Sequence, residues 1–358
     1  MFYREAGQFK TTYKADSALF PILQDKVAIW IYLAIGFIVI PILADDFFLG
    51  AIMIPFLVFT LAAIGLNILT GYTGQISLGS GAFMGVGAYA CYKMTTYMPD
   101  MNIIVLIFAS GIFSAILGVF FGLPSLRIKG FYLVVTTLAA QFFLEWAFIR
   151  IPWLYNYNDS GAIEVPQRDA FGVIITGASA APVTRYLVCL SIVVVMTWIA
   201  SNIINGRIGR TWMMIRDMDI AAELMGVKPL NAKLSAFAVS SFYCGVAGAM
   251  MVFLWLGAAE VESFDSNHSF EILFMVILGG LGSLLGSYLG AAVIWILPVL
   301  INALPRVLGL DIGAATVQHI NDMLIGVLII YILIIEPHGL ARLWSIAKQK
   351  LRVWPFPY

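Results

Sequence analysis

Long apolar runs alternate with short polar connectors along the chain. Ten of them read as membrane spans: Val27–Leu43, Leu49–Leu69, Ile76–Met94, Asn102–Leu123, Phe131–Ile151, Arg185–Ile204, Leu234–Leu256, Phe270–Leu285, Ser287–Leu304 and Asn321–Ile335. Several approach the roughly 20 residues that carry a helix across about 30 Å of hydrocarbon. Within a bilayer each backbone N–H and C=O must find its partner inside the protein, so runs of this kind fold as helices. The pattern predicts an all-α polytopic membrane protein of about ten transmembrane helices. Ile76–Met94 and Phe270–Leu285 are short and lie beside glycine-rich turns, so either could be broken or re-entrant. Ten spans divide into five plus five, and an odd count per half turns the second half upside down, an inverted repeat. Ser77-Leu-Gly-Ser80 and Ser283-Leu-Leu-Gly-Ser287, both small-residue turns, are the only sequence trace of it.

Composition agrees: 61% of residues are hydrophobic and 11% charged, far too little charge for a soluble chain of 358 residues. The net charge of zero carries no signal for nucleic acid, but the distribution of charge does orient the chain. With the N-terminus inside, 15 of the 20 Lys and Arg become cytoplasmic, leaving Lys93, Arg150, Arg168, Arg185 and Arg306. Such a positive-inside bias predicts cytoplasmic N- and C-termini. The expected division is a cytoplasmic tail at 1–26, a membrane domain at 27–336 and a cytoplasmic tail at 337–358. The polar first 26 residues, with no small-residue cleavage pattern after the first apolar run, read as that tail and not as a signal peptide. Cys91, Cys189 and Cys244 fall far apart in predicted spans and read as packing residues. The long outer connection 152–184, rich in Tyr, Asn, Asp and Pro, has room for a short surface helix and for a docking surface or lid.

The inner connection 205–233 is the longest basic segment between two apolar spans. Asp219 is placed to cap a short helix over Ile220–Met225, with Gly226 after its end and Pro229 forbidding continuation. Two helical turns are barely stable alone in water, so this helix needs a partner groove. Ile220 with Leu224, and Ala221 with Met225, supply apolar pairs at i, i+4 spacing. The reading is a helix that passes force from a partner ATPase into the membrane; a solvated connector is the plainer alternative.

Several chemistries are absent from the sequence. There is no phosphate-binding loop, no nucleophile elbow, and no metal-ligand spacing around His268, His319 or His338. The expectation is a non-enzymatic chain that binds no cofactor or metal, with ATP and Mg used by partner subunits. Gly81 with Gly85, and Gly282 with Gly286 and Gly290, have the small-xxx-small spacing that lets helix backbones approach closely. Polar residues inside spans are costly and mark candidate pathway positions. Gln141 and Glu145 share one face of the fifth span with Thr137, and Asn67, Gln75, Ser77, Asn302 and Glu271 join them. For each, the alternative is a helix-to-helix hydrogen bond. Trp153, Tyr155, Tyr157 and Trp344 read as interfacial anchors.

Four motifs in order carry a resemblance. Gly65-Leu-Asn-Ile-Leu-Thr-Gly-Tyr-Thr-Gly-Gln-Ile-Ser-Leu-Gly79, Arg216-Asp-x-Asp-Ile-Ala-Ala-Glu-x-Met-Gly226, Glu271-Ile-Leu-Phe-Met-Val-Ile-Leu-Gly-Gly-Leu-Gly-Ser283 and Pro337-x-Gly-Leu340 together resemble the M-type permease subunits of branched-chain amino acid ABC importers. The resemblance spans roughly Leu49 to Leu340. It implies an inner-membrane importer built with an H-type sister permease, two cytoplasmic ATPase subunits and an extracytoplasmic substrate-binding protein. It also makes the helix near Ile220 a coupling helix, with Ala221, Ala222 and Gly226 its small residues and Arg216, Asp217, Asp219 and Glu223 its charged flank. Thr137–Glu145 lacks the family's usual Gly-Glu pairing, and Asn158-Asp-Ser-Gly161 stands where a Thr-Gly-Gly run is usual. Relatives move leucine-like amino acids, urea and short amides, or aromatic and other carboxylates, so the substrate stays open. An ion-coupled secondary transporter would show acidic residues at mid-membrane in both halves, and Glu145 has no obvious counterpart in the second. A pathway-free assembly protein would not carry so many polar groups within its spans.

Overall fold

The computed structural model describes residues 11–12, 23–125, 132–158, 161–170, 172–177, 179–307, 314–336 and 338–353. Helix α1 runs over Leu23–Ala34, continues as a π-helical stretch through Ile35–Val39 and closes with a turn at Ile40–Leu43. Helix α2 opens as a π-helix at Phe48–Met53 and continues over Ile54–Thr73. Then come α3 (Ser80–Tyr97), α4 (Ile103–Ser125), α5 (Tyr132–Arg150), α6 (Pro182–Asn205), α7 (Arg207–Asp217) and α8 (Asp219–Leu224). Helix α9 (Pro229–Met250) ends in a π-helical turn at Met251–Leu256, followed by α10 (Ser266–Gly279), α11 (Leu284–Val307), α12 (Ala314–Ile335) and α13 (Leu340–Val353).

Seven of these helices are long and apolar enough to cross a membrane, and the bent α12–α13 pair makes up to eight. The ten-span expectation parts from this count mainly at the two short runs. Where Ile76–Met94 was expected as one span, α2 stops at Thr73 because Gly74, at φ +71°, turns its N–H back onto the carbonyls of Leu69 and Thr70. The chain then runs without helix to Ser80. Where Phe270–Leu285 was expected, α10 has only 14 residues, ending where Gly280 and Gly282 adopt positive φ. Both runs, read as able to be broken or re-entrant, are interrupted: α3 starts only at Ser80, and α10 is too short to span.

Helices α2 and α9 form the axis: 78% and 83% of their apolar windows are buried, against 6% for α1, which lies at the periphery. Helix α9 packs on α2, α3 and α4, while α2 packs in turn on α10 and α11. Small residues make this possible. A Cβ on Gly87 would collide with the Gly245 carbonyl, and one on Gly248 with the Met84 carbonyl, so α3 and α9 touch backbone to backbone. Gly286 and Gly290 of α11 meet Gly279 and Met275 of α10 in the same way. Gly282 lies in the turn before α11 and not on that helix, so the expected three-glycine stripe begins at Gly286. Gly81 faces Asp265 and Ser269, and Gly85 faces the rings of Phe148 and Phe264. Across the wider bundle, the Tyr243 hydroxyl donates to Met196 O at 2.8 Å and Tyr186 to Gly36 O at 3.0 Å, tying α6 to α9 and to α1. Cys91, Cys189 and Cys244 are buried and free.

Helices α7 and α8 mark one end of the bundle. The connection after α5 marks the other. That connection, read as having room for a short surface helix, holds a four-residue 3-10 helix at Pro152–Tyr155 and three short strands: β1 (Ile163–Glu164), which pairs with β4 (Ala258–Ala259) from the connection before α10, and β2 (Asp169–Ala170), which pairs with β3 (Val173–Ile174). Lys93 of α3 anchors it by donating to Asn156 and lying 4.4 Å over the Trp153 ring. Arg168 donates to the carbonyls of Pro99 and Thr95.

Because α3 and α9 have no room between their backbones, Gly248→Val is expected to lower stability by at least the ~1–3 kcal/mol typical of overpacking. Thermal unfolding of the detergent-purified protein checks this. Gly326→Ala, where an added Cβ meets nothing within 4 Å, should unfold with the wild type.

Candidate functional site

Two chain segments enter the bundle from opposite ends and meet at its middle. Gly74–Gly79 comes from the α8 end and leads into α3, which runs back toward the loop end. Gly257–Asp265 comes from the loop end and leads into α10, which runs toward the α8 end. The two helix N-termini meet at Gln141, the midpoint of Tyr132–Arg150, about 14 Å along the helix from either end of α5.

Gln141 is fully buried and makes four hydrogen bonds. Its Oε1 accepts from Ala82 N at 2.6 Å and from the Ser269 hydroxyl at 3.0 Å. Its Nε2 donates to Phe264 O at 2.8 Å and to Glu145 Oε1 at 2.7 Å. Ser269 also accepts from Gly81 N at 2.8 Å, and Thr137 Oγ1 accepts from Leu78 N at 3.0 Å. Side chains thus satisfy N–H groups that a helix N-terminus leaves unpaired. Two positive helix ends concentrate here, and nearby carboxylates complement them: Glu145 beside Gln141, and Asp265, which caps α10 by accepting from His268 N at 3.2 Å. Ser77 steadies the segment ahead of α3 by accepting from Gly79 N at 3.4 Å. The amide of Gln75 and the hydroxyl of Ser80 are buried along the same stretch without a hydrogen-bond partner.

Asn67 of α2 is a second joint, nearer the α8 end. It donates to Ser283 O at 2.8 Å and to the Ser287 hydroxyl at 2.9 Å, and accepts from Gly282 N at 2.9 Å. Arg216 of α7 reaches the same place, donating to Gly71 O at 2.9 Å while its other edge meets Asp217 at 3.0 Å. Its side chain runs beside Gly74 and Gly282, where any Cβ would crowd it.

Helix α8 stands at that end. Asp219 is its first helical residue and not its cap, because Met218 at φ −160° holds the cap position. The Asp219 carboxylate is turned instead to Lys233 Nζ, 2.6 Å away at the start of α9. Ala222 is buried against the bundle, Ala221 half-buried, and Glu223 exposed. Ile220 is 72% and Leu224 85% exposed, and Gly226 ends the helix at φ +87°. A pocket of about 360 Å³ opens beside it between α7 and α9, lined by Trp212, Val227, Lys228 and Asn231 among others.

Of the residues singled out as pathway candidates, Ser77, Thr137, Gln141 and Glu145 converge at mid-bundle, and Gln75 lies on the segment that leads there. Asn67 belongs to the second joint. Glu271 belongs to neither: it pairs with His268 Nδ1 at 2.8 Å on a half-open face of α10. Asn302 is on α11, beyond the part whose side chains the structure describes. Among the described residues no group of three or more His, Cys, Asp or Glu could hold a metal. Sequence reasoning missed Phe264, Asp265, His268 and Ser269 as site residues. Asp265 three residues before His268 at the head of an apolar run was a readable cap signal, but the pairing of Ser269 with Gln141 across 128 residues was not.

Comparison with known proteins agrees with this architecture. Residues 48–333 match the family model for the branched-chain amino acid transport system / permease component. The chain is 28% identical over 261 residues to the high-affinity branched-chain amino acid transport system permease protein LivM of Salmonella typhimurium, covering 66% of this chain and 60% of that one. It is 27% identical over 307 residues to LivM of Escherichia coli, covering 79% and 68%. It is 24% identical over 331 residues to a probable LivM of Methanocaldococcus jannaschii, covering 82% and 92%. No solved structure matches. With its apolar helices and a family match over most of its length, this multi-pass membrane protein belongs to the branched-chain amino acid transport permease family.

Proposed function

We propose that the chain is the M-type transmembrane subunit of an ATP-binding-cassette importer of the bacterial inner membrane, moving branched-chain amino acids or a related small carboxylate or amide by alternating access. Its partners are an H-type sister permease, two cytoplasmic ATPase subunits and an extracytoplasmic binding protein. The names of the relatives supply the substrate class. The observation that carries the mechanism is α8, a six-residue helix too short to persist alone that holds Ile220, Leu224 and Met225 out into solvent. Apolar groups so placed need a groove in a partner, and the adjacent pocket adds surface for it. On this reading α8 is cytoplasmic, as are both termini.

The packing favours the inverted five-plus-five repeat. Helix α9 lies against α3 and α4 as α2 lies against α10 and α11, and the broken helices α3 and α10 run in opposite directions from one centre. Counting these two as the ninth and tenth membrane elements restores ten. Arg216 connects α8 to the working parts: it reaches the end of α2 and the turn between α10 and α11, so a push on α8 is delivered to both halves. The unpaired Gln75 and Ser80 groups favour a second arrangement of residues 74–80 in which they find partners, since burying them unpaired costs about 1–3 kcal/mol each.

Leu224→Asp is expected to abolish co-purification of the ATPase subunits and cut uptake more than tenfold, with unchanged amounts of the chain in the membrane. Continued co-purification sinks the coupling assignment. Arg216→Ala should keep the ATPase subunits bound and hydrolysing while uptake falls at least tenfold, with Arg216→Lys intermediate. Uptake and hydrolysis measured together in proteoliposomes check it, and parallel losses would assign Arg216 to assembly.

A further inference from the structure

The polar groups inside the bundle differ in how far the chain itself seals them. Gln141 and Asn67 are sealed and fully hydrogen-bonded within the chain. Glu271 and His268 are not. Glu271 lies half a turn beyond Ser269, which is bonded to Gln141, so its carboxylate sits near the middle of the membrane. Its side chain is 43% exposed, and that of His268 27%. One carboxylate oxygen meets His268 Nδ1 at 2.8 Å, and among the described residues no other hydrogen bond reaches the group. A carboxylate at this depth cannot face lipid without a large penalty, so its open side faces water, solute or a neighbouring subunit.

A chain of aromatic rings leads away from His268. Phe59 of α2 lies 5.6 Å from the His268 ring, stacks on Trp295 at 5.0 Å and meets Trp255 edge-on at 6.3 Å. Trp255 and Trp295 are themselves partly exposed. An acceptor with spare lone pairs, linked through His268 and Phe59 to two partly exposed indoles, suits a primary ammonium carried on a small apolar body. The carboxylate takes the N–H donors, and the rings take the cation's positive charge and the hydrocarbon.

We propose that Glu271, oriented by His268, binds the ammonium group of the transported amino acid, whose aliphatic side chain lies on Trp255 and Trp295. This rests on the importer reading and adds to it a place: the solute passes along the open face of α10, outside the sealed joints of Gln141 and Asn67.

The test uses the whole importer in proteoliposomes, with L-leucine as the probe. Wild-type uptake dependent on ATP and on the binding protein carries the importer reading; its failure for leucine and other amino acids would remove that reading and with it the site. Given uptake, Glu271→Gln should lower its rate at least tenfold with all subunits co-purifying, while Glu271→Asp, which keeps the charge, should retain a third or more. Separately, Glu271→Cys should react with a charged, membrane-impermeant thiosulfonate applied from either side, and leucine-loaded binding protein should slow that reaction. The native cysteines are buried and leave the signal clean. Wild-type uptake by Glu271→Gln, or an introduced thiol that stays unlabelled or unprotected in the working complex, would make Glu271 a packing or seam contact and overturn the proposal.

Discussion

A single amide side chain, Gln141, holds the middle of this molecule together. Two helices that begin inside the bundle present unpaired N–H groups there, and an unsatisfied backbone donor in hydrocarbon costs several kcal/mol. Gln141 and Ser269 meet that demand for α3 from two different helices, and Asp265 meets it for α10. The Gln141 amide uses both ends at once, accepting from α3 and α10 and donating to the Phe264 carbonyl just ahead of α10. The rest of the architecture follows from this requirement. Gly81 must be small so that Asp265 and Ser269 can come close, and α5 must sit where its midpoint meets the two incoming segments. Because the bonds are side-chain bonds, they can be exchanged for others without unwinding any helix.

The molecule treats its polar groups in two ways. At Gln141 and Asn67, where the chain closes on itself, they are buried and hydrogen-bonded, while the Gln75 amide and Ser80 hydroxyl nearby are buried without a partner. Where they are left open, at Glu271 or along α8, they mark surfaces the chain does not complete alone. Glu271 keeps a half-exposed carboxylate on α10 with His268 its one hydrogen-bond partner among the described residues. The exposed leucine and isoleucine of α8 make the same point with the opposite chemistry: apolar groups held out where water would reach them.

Much of this was readable beforehand. Apolar runs located the long helices to within a few residues, and Gly226 and Pro229 closed α8 where expected, because these signals are local. The reading lost accuracy where packing decides. Asp219 looked like a cap from its neighbours, but Lys233, across the loop, turns its carboxylate away. Ile76–Met94 read as one short span open to being broken, while the place of the break is set by a left-handed glycine at Gly74 and by Thr137, 59 positions beyond Leu78. His268 was passed over because its partners are Glu271, three residues away, and Phe59, on a helix more than 200 positions earlier in the chain. Gln141 and Glu145 were singled out for their spacing on one helix face. That they join two converging segments depends on contacts no one-dimensional pattern contains.

The clamp of Lys93 on Asn156 and Trp153 has a mechanical consequence. Helix α3 is 18 residues long, about 27 Å at 1.5 Å per residue, with the loop fastened near one tip and the Gln141 junction at the other. A straight helix of that length resists compression far better than it resists tilting. A load applied to the Pro152–Tyr155 turn would therefore be carried along the axis of α3 to Ser80 and Gly81, from one end of the bundle to its middle, without any helix having to bend.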